Sequence, residues 1–205
     1  MRRTVIVRLL TVAALAGLVT SCGPSGTETG AEPGDKPAAG ATSDSAPAAP
    51  SAASVGAPGT DCPLPVSFGL ATSWQPKAVP GGIPHGAFTL RCEIDAKPAG
   101  HIGFLRVWTA EKSPGTARQA LDAFLAKQKV TGTPAVTDVT AGALPAAEAA
   151  YETTALDEPK QEHAFAVVTP SGAAVVVHLG GLDTDEHKAM LPAYQLARQS
   201  LKALP

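Results

Sequence analysis

Phe88-Thr89-Leu90-Arg91-Cys92-Glu93-Ile94-Asp95 is the stretch whose reading decides the fold. Phe88, Leu90, Cys92 and Ile94 alternate with Thr89, Arg91, Glu93 and Asp95, the two-residue period of a β-strand with one buried and one wet face. The alternation sets Cys92 among apolar neighbours, as suits an inaccessible disulfide rather than a reactive thiol. It sets Arg91, Glu93 and Asp95 together on the solvated face, where Arg91 and Glu93 form a candidate binding surface.

Working outward, Val66, Phe68 and Leu70 mark a short strand. Trp74 and Val79 follow, and Pro80-Gly81-Gly82 with Pro84 reads as a turn or loop. That loop carries Trp74 and His85, a second candidate surface, because an exposed Trp is a common anchor for a partner. Ile102 to Thr109 has apolar residues on both faces, as a central strand covered on both sides requires. Ser113-Pro114 predicts a helix start, with Ser as N-cap and Pro at the first helical position. Ala117, Ala120, Leu121, Phe124 and Leu125 form its apolar stripe, Lys127 and Lys129 its last turn, and Gly132 and Pro134 its end.

Strands are expected at 136–139 and 147–154, then a polar turn at Asp157-Glu158-Pro159-Lys160. His163 to Thr169 and Ala173 to Leu179 form a hairpin around Pro170-Ser171-Gly172. In that register Thr169 pairs with Ala173 and His178 lies across from Ala164. His163 and His178 then point to opposite faces and share no metal. Asp183 is an N-cap candidate, with Glu186 placed for a capping box. Met190, Tyr194, Ala197, Leu201 and Leu204 mark the stripe of a last helix, with a kink or a restart expected at Pro192.

The order of strands, helix, four strands and helix predicts an α+β fold: a mainly antiparallel β-sheet flanked by helices. It resembles the PsbP-like α/β/α sandwich, and in particular the actinobacterial lipoproteins of the LpqN/LpqT type. The resemblance covers about Val66 to Leu204. It rests on Trp74 after an early strand, the strand leading through Ser113-Pro114 into a helix, the Gly142-Ala143-Leu144-Pro145-Ala146 turn before Tyr151, and a hairpin followed by the last helix. It implies a scaffold or binding module, and a fold by itself transfers no activity.

The N-terminus speaks to address. Arg2 and Arg3 precede an apolar run ending in Val19-Thr20-Ser21-Cys22, a secretory signal too short to span a bilayer. The last four residues resemble the bacterial lipobox. That resemblance implies cleavage after residue 21 and a diacylglyceryl thioether on Cys22, with further acylation such as palmitate. Two acyl chains, at about 0.8 kcal/mol per buried methylene, hold a protein firmly at a membrane. Residues 22–60 are otherwise Gly, Pro, Ala, Ser and Thr with a few charges and Val55 as the sole large aliphatic, and read as a disordered tether. As a flexible coil, its 38 residues from Gly23 to Thr60 would reach about 30–35 Å. Residues 61–205 form the globular domain.

Removing Arg2, Arg3 and Arg8 leaves 13 basic against 18 acidic residues, a net charge of −5. That is no footprint for nucleic acid. Cys62 and Cys92 remain as an even pair in an exported chain, and read as a disulfide. No H-E-x-x-H, G-x-S-x-G, S-x-x-K or phosphate-loop pattern occurs. No catalytic residue, metal or cofactor is therefore assigned. The expectation is a lipid-anchored, non-enzymatic binding or accessory module on the extracytoplasmic face of the cell membrane, engaging an envelope protein or polymer. A carrier of a small apolar ligand and an envelope hydrolase are the alternatives.

Overall fold

The structure, a computed structural model, describes residues 47–155 and 158–205. The signal at 1–21, Cys22 and most of the tether lie outside the described residues, as does Asp157. The chain forms β1 (Ser51–Val55), β2 (Val66–Ala71), β3 (Gln75–His85), β4 (Phe88–Asp95), β5 (Gly103–Ala110), α1 (Ala117–Leu125), β6 (Val130–Ala141), β7 (Leu144–Ala155), β8 (Glu158–Val168), β9 (Ala174–Gly181), α2 (Thr184–Ser200) and β10 (Lys202–Ala203).

A seven-stranded antiparallel sheet has the order β3-β4-β5-β9-β8-β7-β6. After β5 the chain crosses one face through α1, starts again at the far edge with β6, and returns strand by strand until β9 closes against β5. The β8–β9 register is the expected one, with Ala164 opposite His178. All eight residues of β9 are buried, as suits a strand with neighbours on both sides and helices above and below. Val175, Val177 and Leu179 enter one core with Met190, Tyr194, Ala197 and Leu201 of the α2 side. Ala174 and Val176 enter the other with Ala120, Leu121 and Phe124 of α1. A small sheet, β1-β2-β10, packs beside α2. The α+β class, a mainly antiparallel sheet flanked by helices, is the observed one.

β4 corrects the reading of one buried and one wet face. Leu90 pairs with Trp108 and Cys92 with Val107, so Arg91 is an extra residue, a β-bulge. The bulge reverses the phase of the strand. Phe88 and Leu90 face α1, whereas Cys92 and Ile94 face α2. Glu93 consequently turns to the α1 side, and only Arg91 is left exposed. Period-two alternation hides such an insertion, because both halves of the strand still alternate.

Pro80-Gly81-Gly82 is a bulge within the edge strand β3 rather than a loop. An edge strand tolerates Pro because one side has no partner to donate to. The tether boundary also moves: Ser51–Val55 pairs with β2 and Val55 is fully buried. Pairing with a sheet edge satisfies the backbone without needing large side chains, which a composition-based boundary does not see.

The first helix starts later than expected. Thr116 is its N-cap and Gln119 completes a capping box, while the Ser113 hydroxyl closes a turn onto Gly115. Lys127 and Lys129 fall beyond its end, and Gly132 and Pro134 lie in β6. α2 runs through Pro192 without a break and ends at Ser200, so Leu204 lies outside it. Asp183 caps it, but the Glu186 carboxylate accepts from the Ile102 N–H at 3.0 Å instead of closing a capping box.

The tip of the β6–β7 hairpin docks against the end of α2. Gly142, at φ 54°, donates its N–H to the Arg198 carbonyl at 2.8 Å, and a Cβ there would stand 1.8 Å from the Leu201 carbonyl oxygen. Gly142→Ala is expected to destabilise the domain by roughly 1–3 kcal/mol through left-handed strain and loss of this contact. A chemical-denaturation midpoint unchanged from the parent would contradict this.

Candidate ligand cleft on the α1 face

α1 is short and packs mainly on β7, β8 and β9, with Phe124 reaching Phe88 and Trp108, and it leaves Glu93 of β4 and Arg106 of β5 half-exposed. Register places a row of charged and ionisable side chains there: Glu93 opposite Arg106, and Arg106 opposite His178. The next row holds Phe104, Gly180, Glu162 and Tyr151. Gly180 presents no side chain between Phe104 and Glu162, and a Cβ there would lie 3.2 Å from His178 Cε1.

Two ion-pair systems result. Arg106 Nε donates to Glu93 Oε1 at 2.7 Å while its guanidinium stacks over Phe104 at 4.9 Å. His178 Nε2 lies 2.9 Å from Glu162 Oε2, and Lys160 Nζ lies 2.7 Å from Glu162 Oε1 and 3.0 Å from the Gly181 carbonyl. Burial would raise the Glu162 pKa. The hydrogen bond and charge of His178, then those of Lys160, more than offset it and hold the carboxyl at about 2. With Glu162 a carboxylate, His178 Nε2 is the donor. The Tyr151 ring stacks on His178 at 6.3 Å, and burial, then the Glu162 charge, pushes its phenol well above the ordinary value.

Beside the first row opens a cleft of about 300 Å³ lined by Ile83, His85, Leu90, Glu93, Arg106, Trp108, Gln128 and His178. His85 packs 4.9 Å from both the Trp108 and Phe124 rings. Its Nε2 is 3.2 Å from the Phe124 carbonyl at the end of α1. Burial lowers the His85 pKa, despite the opposing bond to Phe124, so the ring is neutral at pH 7.

Of the residues singled out in the sequence, His85 and Glu93 line this cleft. Arg91 is exposed on the bulge and does not. Trp74 is separated from His85 by the whole sheet. It is 7% exposed, belongs to the α2-side core, and edges a second hollow of about 280 Å³ with Met190, Pro192 and Ala49. The pairing of Trp74 with His85 in one loop is thereby corrected, because the intervening residues form the edge strand β3. Sequence reasoning missed Arg106, Trp108, Glu162 and Gln128. The signal that could have found Glu162 is the hairpin register, which places it on the same face as His178. Cys62 and Cys92 are bonded, with their Cα atoms 5.8 Å apart and both side chains buried. Among the described residues no group of three or more His, Cys, Asp or Glu side chains could hold a metal ion.

A family model described as uncharacterised lipoprotein matches residues 32–201. The solution structure of cyanobacterial PsbP from Synechocystis sp. PCC 6803 is similar, with a TM-score of 0.51 and 12% identity over 68% of this chain and 87% of that one. At that identity the likeness shows the fold alone, and it agrees with the PsbP-like sandwich. LpqN of Mycobacterium tuberculosis, described as involved in cell envelope biogenesis, is similar at a TM-score of 0.43 and 13% identity, over 68% of this chain and 83% of that one. No curated protein matches.

Proposed function

The chain belongs to a family of uncharacterised lipoproteins, and from that premise we propose that its folded domain is a non-enzymatic binding or accessory module, held by a lipid on Cys22 at the extracytoplasmic face of the cell membrane. The observation that carries this reading is the α1-face cleft. It combines an aromatic wall, Trp108 with His85, and a charged floor, Arg106 with Glu93, in an arrangement fixed before any ligand arrives. Such preorganisation lowers the cost of binding.

The chemistry of the lining favours binding over turnover. None of the lining side chains is a hydroxyl or a thiol. Glu162 at about 2 holds no proton to donate at neutral pH, and it occupies His178 Nε2. His85 commits Nε2 to the Phe124 carbonyl. An envelope protein or polymer is the partner class this reading carries.

Crosslinking of the intact lipidated protein in cells, followed by partner identification, tests the reading. Arg106→Ala together with Trp108→Ala should remove the captured partner. Turnover of an ester, peptide or glycan substrate that disappears in Glu162→Gln would overturn it. For the anchor, Cys22→Ala should move the protein from the detergent phase to the aqueous phase or leave it unprocessed. Unchanged partitioning would refute lipidation at Cys22.

The runner-up is a carrier of a small apolar ligand. It is favoured by the second hollow, whose walls are mainly Ala, Pro, Met and Trp74. Displacement of an apolar fluorescent probe that is lost in Trp74→Ala, with the α1-face cleft intact, would favour it.

A further inference from the structure

We propose that the open part of the sheet face beside α1, running from Ile83 to Ile102 and Leu182, is the docking site for an amphipathic helix of a partner envelope protein. The inference rests on the binding-module reading of the cleft and extends that site along β5.

Among the described residues the exposed large hydrophobic side chains are Ile83, Ile102 and Leu182, each about half exposed. All of them belong to one face. Ile83 lines the cleft. Gly103 pairs with Gly181, and the Leu182 N–H donates to the Ile102 carbonyl at 3.0 Å, so the β5–β9 ladder runs one step past the ends of the strands. The two-residue period then sets Ile102 and Leu182 on the face of Phe104 and Gly180, the α1 face. Phe104 is half-buried and holds the Arg106 guanidinium over its ring. Phe104, Ile102 and Leu182 form a contiguous apolar patch, and contiguous patches mark interaction sites where single residues do not.

Backbone pairing and dimensions select the occupant. β4, β5 and β9 each have a hydrogen-bonded strand on both sides, so their face offers side chains and no backbone pairing. A segment laid on such a face must satisfy its own backbone, as a helix does. Three strands about 4.8 Å apart span about 10 Å, the width of one helix. Ile83 pairs with Leu90 and Leu90 with Trp108, so Ile83 stands in the row of Trp108. Along the chain from Trp108 to Ile102 is about 20 Å, or about 13 residues of helix. Such a helix lies beside α1, which packs mostly on β7 and β8 and less on β9.

Between the two apolar ends the floor is charged. Lys77 lies opposite Glu93, Glu93 opposite Arg106, and Asp95 opposite Phe104, so all four ionic groups face the same way. The partner helix therefore carries aliphatic residues every three to four positions, with an acid placed for Lys77 and a base for Asp95. The same charges tell against a bilayer, whose apolar core would strip their water. The tether from Gly23 to Ala46 contains no Val, Leu, Ile, Met or aromatic residue, so it has nothing to fill the patch with. A second copy has Ile83, Ile102 and Leu182 as its own exposed large hydrophobics among the described residues, and none of them is on a helix. A sugar ring needs an open aromatic face, whereas Trp108 is 8% exposed and Phe104 lies under Arg106.

A benzoylphenylalanine photocrosslinker placed at Ile83 or at Ile102 of the full lipidated chain in cells, with adducts mapped to single residues, tests the docking site. Adducts from the two positions should fall in one segment of one partner, about 13 residues apart, with aliphatic residues every three to four positions. Ile102→Asp with Leu182→Asp should lower the yield from Ile83 roughly tenfold or more, through loss of two buried aliphatic side chains, with the melting temperature of the domain unchanged. Adducts to a second copy, to lipid or to glycan would overturn the proposal, as would a yield no higher than from Thr137 on the outer strand β6. A partner retained in Ile102→Asp with Leu182→Asp but lost in Arg106→Ala with Trp108→Ala would overturn the helix site and leave the cleft reading standing. A partner retained in both would overturn the two together. The mapped adducts do not require either double variant to fold.

Discussion

Replacing Cys62 and Cys92 by alanine, with Cys22→Ser to leave no thiol, is expected to lower stability by about 3–4 kcal/mol. Cross-linking removes loop-closure entropy from the unfolded chain, and here it closes a separation of 30 residues. The bridge ties the Pro-rich entry segment, which forms no part of the large sheet, to the second half of β4. Both sulfurs are buried in the α2-side core beside Ile94 and Val107, so their loss also removes packing. For a domain of this size the melting temperature should fall by about 10 °C. The check is thermal unfolding of the variant against its Cys22→Ser parent. A shift within about 2 °C would mean that the loop is already ordered without the bond.

Glu162→Ala is expected to cost about 3–5 kcal/mol, because it leaves the buried His178 and the half-buried Lys160 without their shared counter-charge. Glu162→Gln keeps the shape and an acceptor oxygen and should cost less. The two variants also share a pH signature. In the parent, Glu162 is held at about 2, below its ordinary value of 4.5. The carboxylate is the favoured form in the folded chain, so its contribution is fully present above pH 4.5. It declines as pH falls toward 2 and is gone below both values. The difference amounts to about 3 kcal/mol. Denaturant unfolding at pH 6, 4 and 3 should therefore show the gap between the parent and Glu162→Gln narrowing with acid. A gap that holds its size would remove Glu162 from the account of acid stability.

Much of the sheet was legible one strand at a time. The Ile102–Thr109 run showed a central strand, because apolar residues on both faces have no other stable place. The Pro170-Ser171-Gly172 turn showed a hairpin and its register, and with it the opposite orientations of His163 and His178. The errors cluster where an insertion or a partner distant in sequence decides. Arg91 breaks the phase of β4 without breaking its alternation. The Ser51–Val55 segment looks like tether until β2 lies beside it. Ser113 is as good a cap by type as Thr116, but only Thr116 has Gln119 in place to answer it.

The cleft was legible in its parts and not as a whole. His85 and Glu93 stood out as residue types, yet Trp74 and Arg91 stood out equally and belong elsewhere. Strand order settles the matter. β5 and β9 are about 70 residues apart in the chain and adjacent in the sheet, which brings Arg106 beside His178. No local pattern carries that pairing.

By itself the sequence determined the class of fold and the hairpin register, because each depends on neighbours within a few residues. Tertiary structure alone decided which face each polar residue occupies, where the domain begins, and that His163 meets His187 while His178 meets Glu162. Those outcomes depend on a single-residue bulge and on contacts between distant strands and helices. A shift of one position exchanges one face of a sheet for the other, so such contacts are set only when the whole sheet closes.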